Sequence, residues 1–565
     1  MKALIPVSLL FIAGGVFAQT PMYLKNMGGS SFDGGNGVAI GPNNEHFFTG
    51  AFTGTADMDP DASGGNLNSA GGKDIYFAKF TSAGALVWAK SIGGTSDDEG
   101  VAMVPSDAGG LYVTGTYTFQ ADMDPGPGTT NVGVAGLNPN SVGTFFARYT
   151  ANGDLIWARS LSGINASCYV KDMARDAAGN LYLTGWYTGP VDFDPSGSNL
   201  IIPYIGNNAD AFVAKYDNNG DLLWAGQIGG TASTWSQTID LTPAGEVVVG
   251  GFHMSGTCDL DPGTGLVEHT SGTGIRSGWA VKLDTDGQYL WSADIAGDDY
   301  CAIDAVLFDA TGAVLLGGSF EGTYDLDPGP AMQAVTSAGT SQDGFLMKLD
   351  GTTGTLVQAV PFQGAGDDTV ELMTLANDGT IYFSGAFWDD TDMDPGQGVV
   401  QPLGFLPVYF CHYDTDLNYL NHYGWYGFGN IFHQDMAMDA LGRMVSTGRF
   451  DGTYDFTNGV NSFELTSVGN FDAFIISMGD INVGVALPNA PEDAKAYPNP
   501  SSGRFQLALP YPDMNVSVSD VWGRVVHTST HVGSSVIDIS IHPPGTYLVR
   551  AWNDRSNMAQ KIVLE

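Results

Sequence analysis

From Met22 onward, short runs of alternating apolar and polar residues are broken at close intervals by Gly, Asn or Asp. The stretch from Asp210 shows the grammar. DAFVAKY reads as a first strand, NNG as a tight turn, and DLLWAGQI as a second strand; the segment around TIDLTPAG carries a third strand into another turn, and EVVVGGF is a fourth. The first turns contain Asn152-Gly153, Asn219-Gly220 and Asp286-Gly287, residue types that accept the positive φ of a tight hairpin. The second turns carry Gly110, Gly179, Gly245, Gly312, Gly379 and Gly442.

This unit recurs. Asp-x-Asp-Pro begins at Asp57, Asp122, Asp192, Asp259, Asp325 and Asp392, with a degenerate DFTN at Asp455, in steps of 65, 70, 67, 66, 67 and 63 residues. Trp88, Trp157, Trp224 and Trp291 hold one place in consecutive second strands, and Gln358 and Leu420 are assigned to that slot in later units. A flat ring at a fixed repeat position is the expected filler between twisted sheets. Four short antiparallel strands per unit predict an all-β fold, a seven-bladed β-propeller. Its closure is read from the ends: MYLKNMGG (residues 22–29) is a second strand lacking a first, and DAFIISM (residues 472–478) a first strand lacking a second. The predicted composite blade joins that terminal first strand to the second, third and fourth strands at the chain's beginning, leaving no free sheet edge.

Outside the repeats, Met1-Lys2, an apolar run from Leu4 to Phe17 and Val16-Phe17-Ala18 predict a signal peptide over residues 1–18. No later stretch reaches the roughly 18 apolar residues of a membrane helix. The propeller is assigned residues 19–480, a linker with Pro488 and Pro491 residues 481–495, and a small all-β domain residues 496–565.

Two resemblances follow from these residues. The unit DIYFAKF, ALVWAKSIGG, TSDDEGVAM, GLYVTGTY resembles the secreted bacterial β-propeller repeat (SBBP type), from about Pro21 to Met478, although the acidic Asp-x-Asp-Pro segment departs from it. The tail, through YPNPSSGRFQL, VSVSDVWGRVV, PPGTYLVRAW and KIVLE, resembles the C-terminal sorting domain of the type IX secretion system of Bacteroidota. That resemblance implies an immunoglobulin-like β-sandwich and recognition by the outer-membrane translocon. It also implies a destination outside the cell or on its surface, reached through the periplasm, with release or anchoring afterwards.

Composition narrows the partners. The net charge of −40 lies entirely upstream of Ala496, since five acids and five bases balance in the tail. Such a body repels nucleic acid and anionic membranes and attracts cations. Cys168, Cys258, Cys301 and Cys411 lack metal or redox spacing; Cys258 and Cys301 are a candidate pair, since strands of neighbouring repeats can approach, the alternative being free buried thiols.

The candidate metal residues are the paired carboxylates Asp57 and Asp59, Asp122 and Asp124, Asp192 and Asp194, Asp259 and Asp261, Asp325 and Asp327, and Asp392 and Asp394. Side chains two apart on an extended segment point the same way. Each pair has two uses open to it: presenting carboxylates to a structural Ca2+, with carbonyls such as that of Gly126 completing the shell, or capping backbone N–H groups where the chain leaves the fourth strand. The loops at Asp217 and Asp284 begin like calcium loops but lack the later Gly and Glu, and read as hairpins. Lys79, Arg148, Lys215, Lys282 and Lys348 recur in first strands, which are placed at the axis and expected to pair with neighbouring acids. His412, His422, Trp425, Tyr426 and His433 cluster in the last units as a binding site or as filling. No catalytic motif appears. The reading is a noncatalytic exported module that binds a polysaccharide or surface protein; the alternatives are a hydrolase or lyase with an axial site, and a structural matrix protein.

Overall fold

The computed structural model describes residues 21–61, 65–133, 141–202, 204, 209–387, 391–395, 400, 406–456 and 463–479 of the body. In the tail it describes 495–497, 503–508, 514–520, 525–531, 535–553 and 556–564. The signal peptide and nearly all of the linker lie outside these residues. Every regular element among the described residues is a β-strand, and the chain divides into two compact units, residues 1–481 and 482–565.

In the first unit the strands pair antiparallel in sets of four. Each set takes the third and fourth strands of one sequence unit and the first and second of the next. Glu99–Pro105, Leu111–Thr118, Val142–Tyr149 and Leu155–Leu161 form one such set, and Ser167–Arg175, Leu181–Thr188, Asp210–Tyr216 and Leu222–Gly230 the next. The sequence repeat and the sheet are therefore two strands out of phase. The link between fourth and first strands is itself a β-ladder in places: Val247–Asp259 continues into Glu268–Leu283 with Cys258 opposite His269.

The strands at the two ends of the body meet as expected. Pro21–Gly29 runs antiparallel to Asp472–Met478, with Lys25 opposite Ile475 and Met27 opposite Ala473. The phase shift corrects the composition of this set. Three strands come from the end of the body, Ile431–Met438, Met444–Phe450 and Asp472–Met478, and one from its beginning. The second and third strands of a unit, parted here by Gly28-Gly29, belong to different sets. Asp33–Ile40 accordingly opens the next set, with His46–Asp57, Asn66–Phe80 and Leu86–Gly94.

Third strands pack against those of neighbouring sets, and the series of contacts returns to its start. Asp33–Ile40 touches Glu99–Pro105, which touches Ser167–Arg175, then Ser233–Leu241, Tyr300–Phe308, Leu372–Leu375 and Ile431–Met438, which touches Asp33–Ile40 again. The third strands are thus the inner ones. This corrects the placement of the first strands at the axis: they lie one strand in from the outer edge, so their cations belong to the joints between sets.

The second unit has a three-stranded sheet, Lys495–Tyr497, Arg504–Ala508 and Ser535–Asp538. A four-stranded sheet of Val525–His531, Met514–Asp520, Gly545–Asn553 and Ser556–Leu564 accompanies it. Phe505, Leu507, Val516, Val518, Ile537 and Val549 from both sheets share one buried core.

Candidate functional site

The Asp-x-Asp segments become braced loops. Asp122 Oδ1 accepts the N–H of Asp124 at 3.0 Å and of Thr130 at 2.7 Å. The same i+2 and i+8 pair recurs at Asp192, Asp259, Asp325 and Asp392; Asp57 takes the N–H of Asp59 at 2.9 Å. The second carboxylate repeats the device one step on, Asp124, Asp261 and Asp327 each accepting from the Gly two residues later at 2.8 Å, and Asp194 from Ser196. A carboxylate does this because its short side chain folds back onto the local backbone. One oxygen of each first Asp is therefore committed to N–H donors. Among the described residues no three His, Cys, Asp or Glu side chains are grouped to hold a metal ion.

An amide oxygen accepts an N–H as a carboxylate oxygen does, so Asp122→Asn is expected to melt with the wild type. Asp122→Ala leaves two N–H groups unpaired and should cost about 1–3 kcal/mol. Calcium binding would instead make the Asn variant as damaging as the Ala variant and would lower the melting temperature in EGTA; calorimetry of the three proteins with EGTA and with calcium separates the two.

The loops at Asp217 and Asp284 are braced hairpins of the same kind, each Asp Oδ1 accepting from residues i+2 and i+4. Beside these hairpins stand the first-strand cations, paired as expected. Lys79 meets Glu45 at 2.9 Å, Lys282 meets Glu246 at 2.9 Å, and Lys348 meets Asp309 at 2.8 Å. Four of the five also help join neighbouring sets, Lys348 donating to Thr415 O of the next hairpin. Lys215 and Trp224 both donate to Thr285 O, Lys282 and Trp291 to Gly351 O, and Arg148 and Trp157 to Asn218 O, in every case a carbonyl of the next hairpin. The tryptophan sits directly opposite the cation: Lys79 faces Trp88, and Lys215 faces Trp224. By this register Gln358 does occupy the slot, but its next occupant is Asn421, opposite His412, not Leu420. At the seam Tyr23 takes the place, opposite Ser477. Gly84, at φ 82°, passes so close over the Tyr23 ring that a Cβ would lie 2.4 Å from Cγ, as Gly287 passes over Trp224.

The late aromatic cluster is core. Trp425 is fully buried, with Phe410 at 4.8 Å and His433 at 5.6 Å. His412 stacks on Tyr382 at 4.0 Å, and the Tyr419 hydroxyl lies 2.6 Å from His422 Nδ1. Burial pulls His412 and His422 down to about 4 and His433 to about 3, leaving neutral rings. All four cysteines are free and buried, so Cys258 and Cys301 form no disulfide.

What the sequence reading missed lies on the inner strands. Six third strands carry a β-bulge at the same place, and the extra residues are Asn36, Val101, Lys171, Gln237, Asp304 and Gln434. A bulge turns its extra side chain off the ladder. Asn36, Lys171 and Gln434 meet Glu99, Tyr169 and Trp186 around a cavity of about 300 Å3. Trp186 also borders a second cavity of about 520 Å3, with Trp235 and Met254. Their aromatic walls are stacked, Trp186 on Tyr169 at 4.0 Å, and Trp235 on Phe252 behind it at 5.0 Å. Arg276 covers Phe252 at 3.5 Å and Tyr300 at 4.5 Å. The sequence carried no signal for this site, because the bulge falls at the equivalent place in six third strands and leaves the repeat spacing unbroken.

Inner carboxyls are strongly perturbed. Burial pushes Asp172, Asp304 and Asp435 up to about 7 and Asp240 to about 6. Near the joints it pushes Asp98 to about 7 and Asp33 and Asp74 to about 6. Water reaches the first four, although protein surrounds them, and screens them; Asp33, Asp74 and Asp98 are enclosed outright. A carboxyl whose native pKa is raised binds its proton more tightly folded than unfolded, so its contribution to stability grows as pH falls through the native value toward about 4. The three neutral histidines act oppositely below about 6.5, but the seven carboxyls outnumber them. Scanning calorimetry from pH 8 to 5.5 is expected to show the melting temperature rising by about 3 °C or more; a fall on acidification contradicts the burial of these acids.

Residues 495–565 match the model of the secretion system C-terminal sorting domain. A 332-residue stretch, 50% of the chain, is 24% identical to an uncharacterized WD repeat-containing protein of Acanthamoeba polyphaga mimivirus and covers 24% of it. A 348-residue stretch, 57% of the chain, is 26% identical to regulatory protein FlaEY of Caulobacter vibrioides and covers 33% of it. The chain thus spans about a quarter to a third of these curated relatives. Among solved structures, PorZ, a surface component of the type IX secretion system of Porphyromonas gingivalis, aligns with 94% of the chain and 81% of its own. Identity there is 10% and the TM-score 0.32, too low to establish a common fold. The tail is a type IX C-terminal sorting domain, and it implies export of this chain to the cell surface or the extracellular space.

Proposed function

We propose that the body is a seven-bladed β-propeller of the secreted bacterial repeat type and the tail an immunoglobulin-like β-sandwich, together making an exported, noncatalytic glycan-binding module. The contact series of the third strands, which returns to its start, and the paired end strands support the propeller. The WD-repeat name of one relative agrees with it. Calcium is not needed for this reading, since the acidic loops are braced by their own backbone.

One observation carries the binding function: Trp186, stacked on Tyr169, borders both a polar cavity and a more apolar one, and Trp235, stacked on Phe252, borders the second. Flat rings beside hydrogen-bonding groups suit a ligand that is apolar on its faces and hydroxylated at its rim, as a sugar ring is. The described body histidines are spent in packing or on Asp439 and Asp294, which favours binding over hydrolysis. On a glycan array the exported chain is expected to bind a polysaccharide class, and Trp235→Ala to weaken that binding at least about tenfold, or roughly 1.4 kcal/mol. An empty array, or equal binding by the variant, overturns the reading.

A further inference from the structure

We propose that the cavity of about 300 Å3 between Asn36, Glu99, Tyr169, Lys171, Trp186 and Gln434 is a subsite for one neutral hexose unit, such as the end of a glycan chain. The proposal rests on the glycan-binding reading and says what its most enclosed subsite takes. The volume is at the small end of ligand pockets, which suits a single ring.

The polar groups are left partly unspent. Asn36 donates from Nδ2 to Glu99 Oε1 at 3.0 Å and to Gly100 O at 2.8 Å, which fixes its amide so that Oδ1 is turned to other donors. Glu99 keeps its second oxygen. Gln434 makes one long contact, 3.5 Å to His433 O. Lys171 makes no hydrogen bond or ion pair among the described residues, whereas the recurring first-strand lysines are each paired with an acid. An ammonium, a carboxylate and two amides offer donors and acceptors side by side, the pattern that vicinal hydroxyls satisfy because each both donates and accepts. Trp186, backed by Tyr169, supplies the wall for the C–H face of the ring.

Charge chooses the neutral ligand. Lys171 and Glu99, of opposite sign, are the charged side chains that line the cavity, and the charges acting on them from behind, Asp304 on Lys171 and Arg449 on Glu99, are again one of each sign, so neither an acidic nor a cationic sugar gains a net counter-charge there. Outside it, a net charge of −40 repels uronates and sulfated sugars over a Debye length.

The test is titration calorimetry on the exported full chain with methyl hexosides, hexose-terminated neutral oligosaccharides and the matching uronate oligomers. Lys171→Met and Glu99→Gln are each expected to weaken methyl hexoside and oligosaccharide binding at least about tenfold, with unchanged melting curves. Trp235→Ala should weaken only the longer chains, because Trp235 borders the other cavity. Oligosaccharide binding that needs Trp235 but ignores Lys171 and Glu99 would overturn the subsite and leave the module's function standing. Preference for uronates would overturn the neutral class, and failure of every saccharide to bind would overturn both.

Discussion

Deleting residues 21–29 is expected to cost the body its cooperative fold. The strand contributes Met27, which is fully buried, and Tyr23, 8% exposed, to a core whose other members include Phe48, Phe52, Tyr76, Val445 and Ile475 from both ends of the body. Burying each such side chain is worth about 1.5–3 kcal/mol. Its removal also strips one edge of Asp472–Met478, a strand buried along its whole length, and leaves an open apolar edge of the kind that recruits other chains. Lys25 would no longer reach Asp59 and Asp61, at 3.4 and 2.5 Å, in the next set's loop. Together these losses rival the roughly 5–15 kcal/mol by which a domain is stable. Size-exclusion chromatography and calorimetry of the shortened chain should show aggregates, or a broad transition far below that of the full chain. An unchanged sharp transition would mean that the strand is an appendage.

Removing residues 495–565 is expected to leave a folded body on the wrong side of the outer membrane. The sorting domain matches over that span and has its own core. Contacts also group residues 482–565 apart from the rest, and the body's core clusters contain no residue of the tail. In a bacterium with the type IX translocon, the truncated chain should accumulate in the periplasm with the melting temperature of the full chain, while the full chain reaches the surface or the medium. Burying a charge in the tail's core, as in Phe505→Asp, should give the same misplacement because an unpaired buried carboxylate is costly. Normal export of either variant would remove the sorting role.

The repeat was legible because seven units print the same strands and turns, and the end pairing was legible because each terminus lacked what the other supplied. The phase of the sheets was not. A sequence unit shows where strands fall but not which hairpin crosses between sheets, and only the Gly-Gly step after Met27, Ile92 and Ile228 hinted at the crossing. The same ignorance put the first-strand cations at the axis, when Arg148, Lys215, Lys282 and Lys348 brace the joints. Leu420 was misread for Asn421 although the spacing pointed there: nine residues separate Lys79 from Trp88, Lys215 from Trp224 and Lys282 from Trp291, and the same nine lead from His412 to Asn421, where no tryptophan marks the slot. The bulged inner residues were hidden for a related reason: Asn36, Val101, Lys171, Gln237, Asp304 and Gln434 share a position but no chemistry, so repetition does not flag them. The Asp-x-Asp pairs were conspicuous because they recur, and in the structure the first Asp of each pair braces its own loop through backbone N–H groups.

Closure of the circle is tested most directly by a distance across the seam. Spin labels on cysteines at Met22, which is 57% exposed, and at Gly479 flank the pair Pro21 and Met478. The buried native thiols stay unlabelled. Paired strands put partner Cα atoms about 5 Å apart, so double electron–electron resonance should return one narrow distribution below roughly 20 Å once the label arms are added. A distribution centred beyond about 40 Å, near a folded body's own diameter, would show two ends that never meet and a body that is no ring.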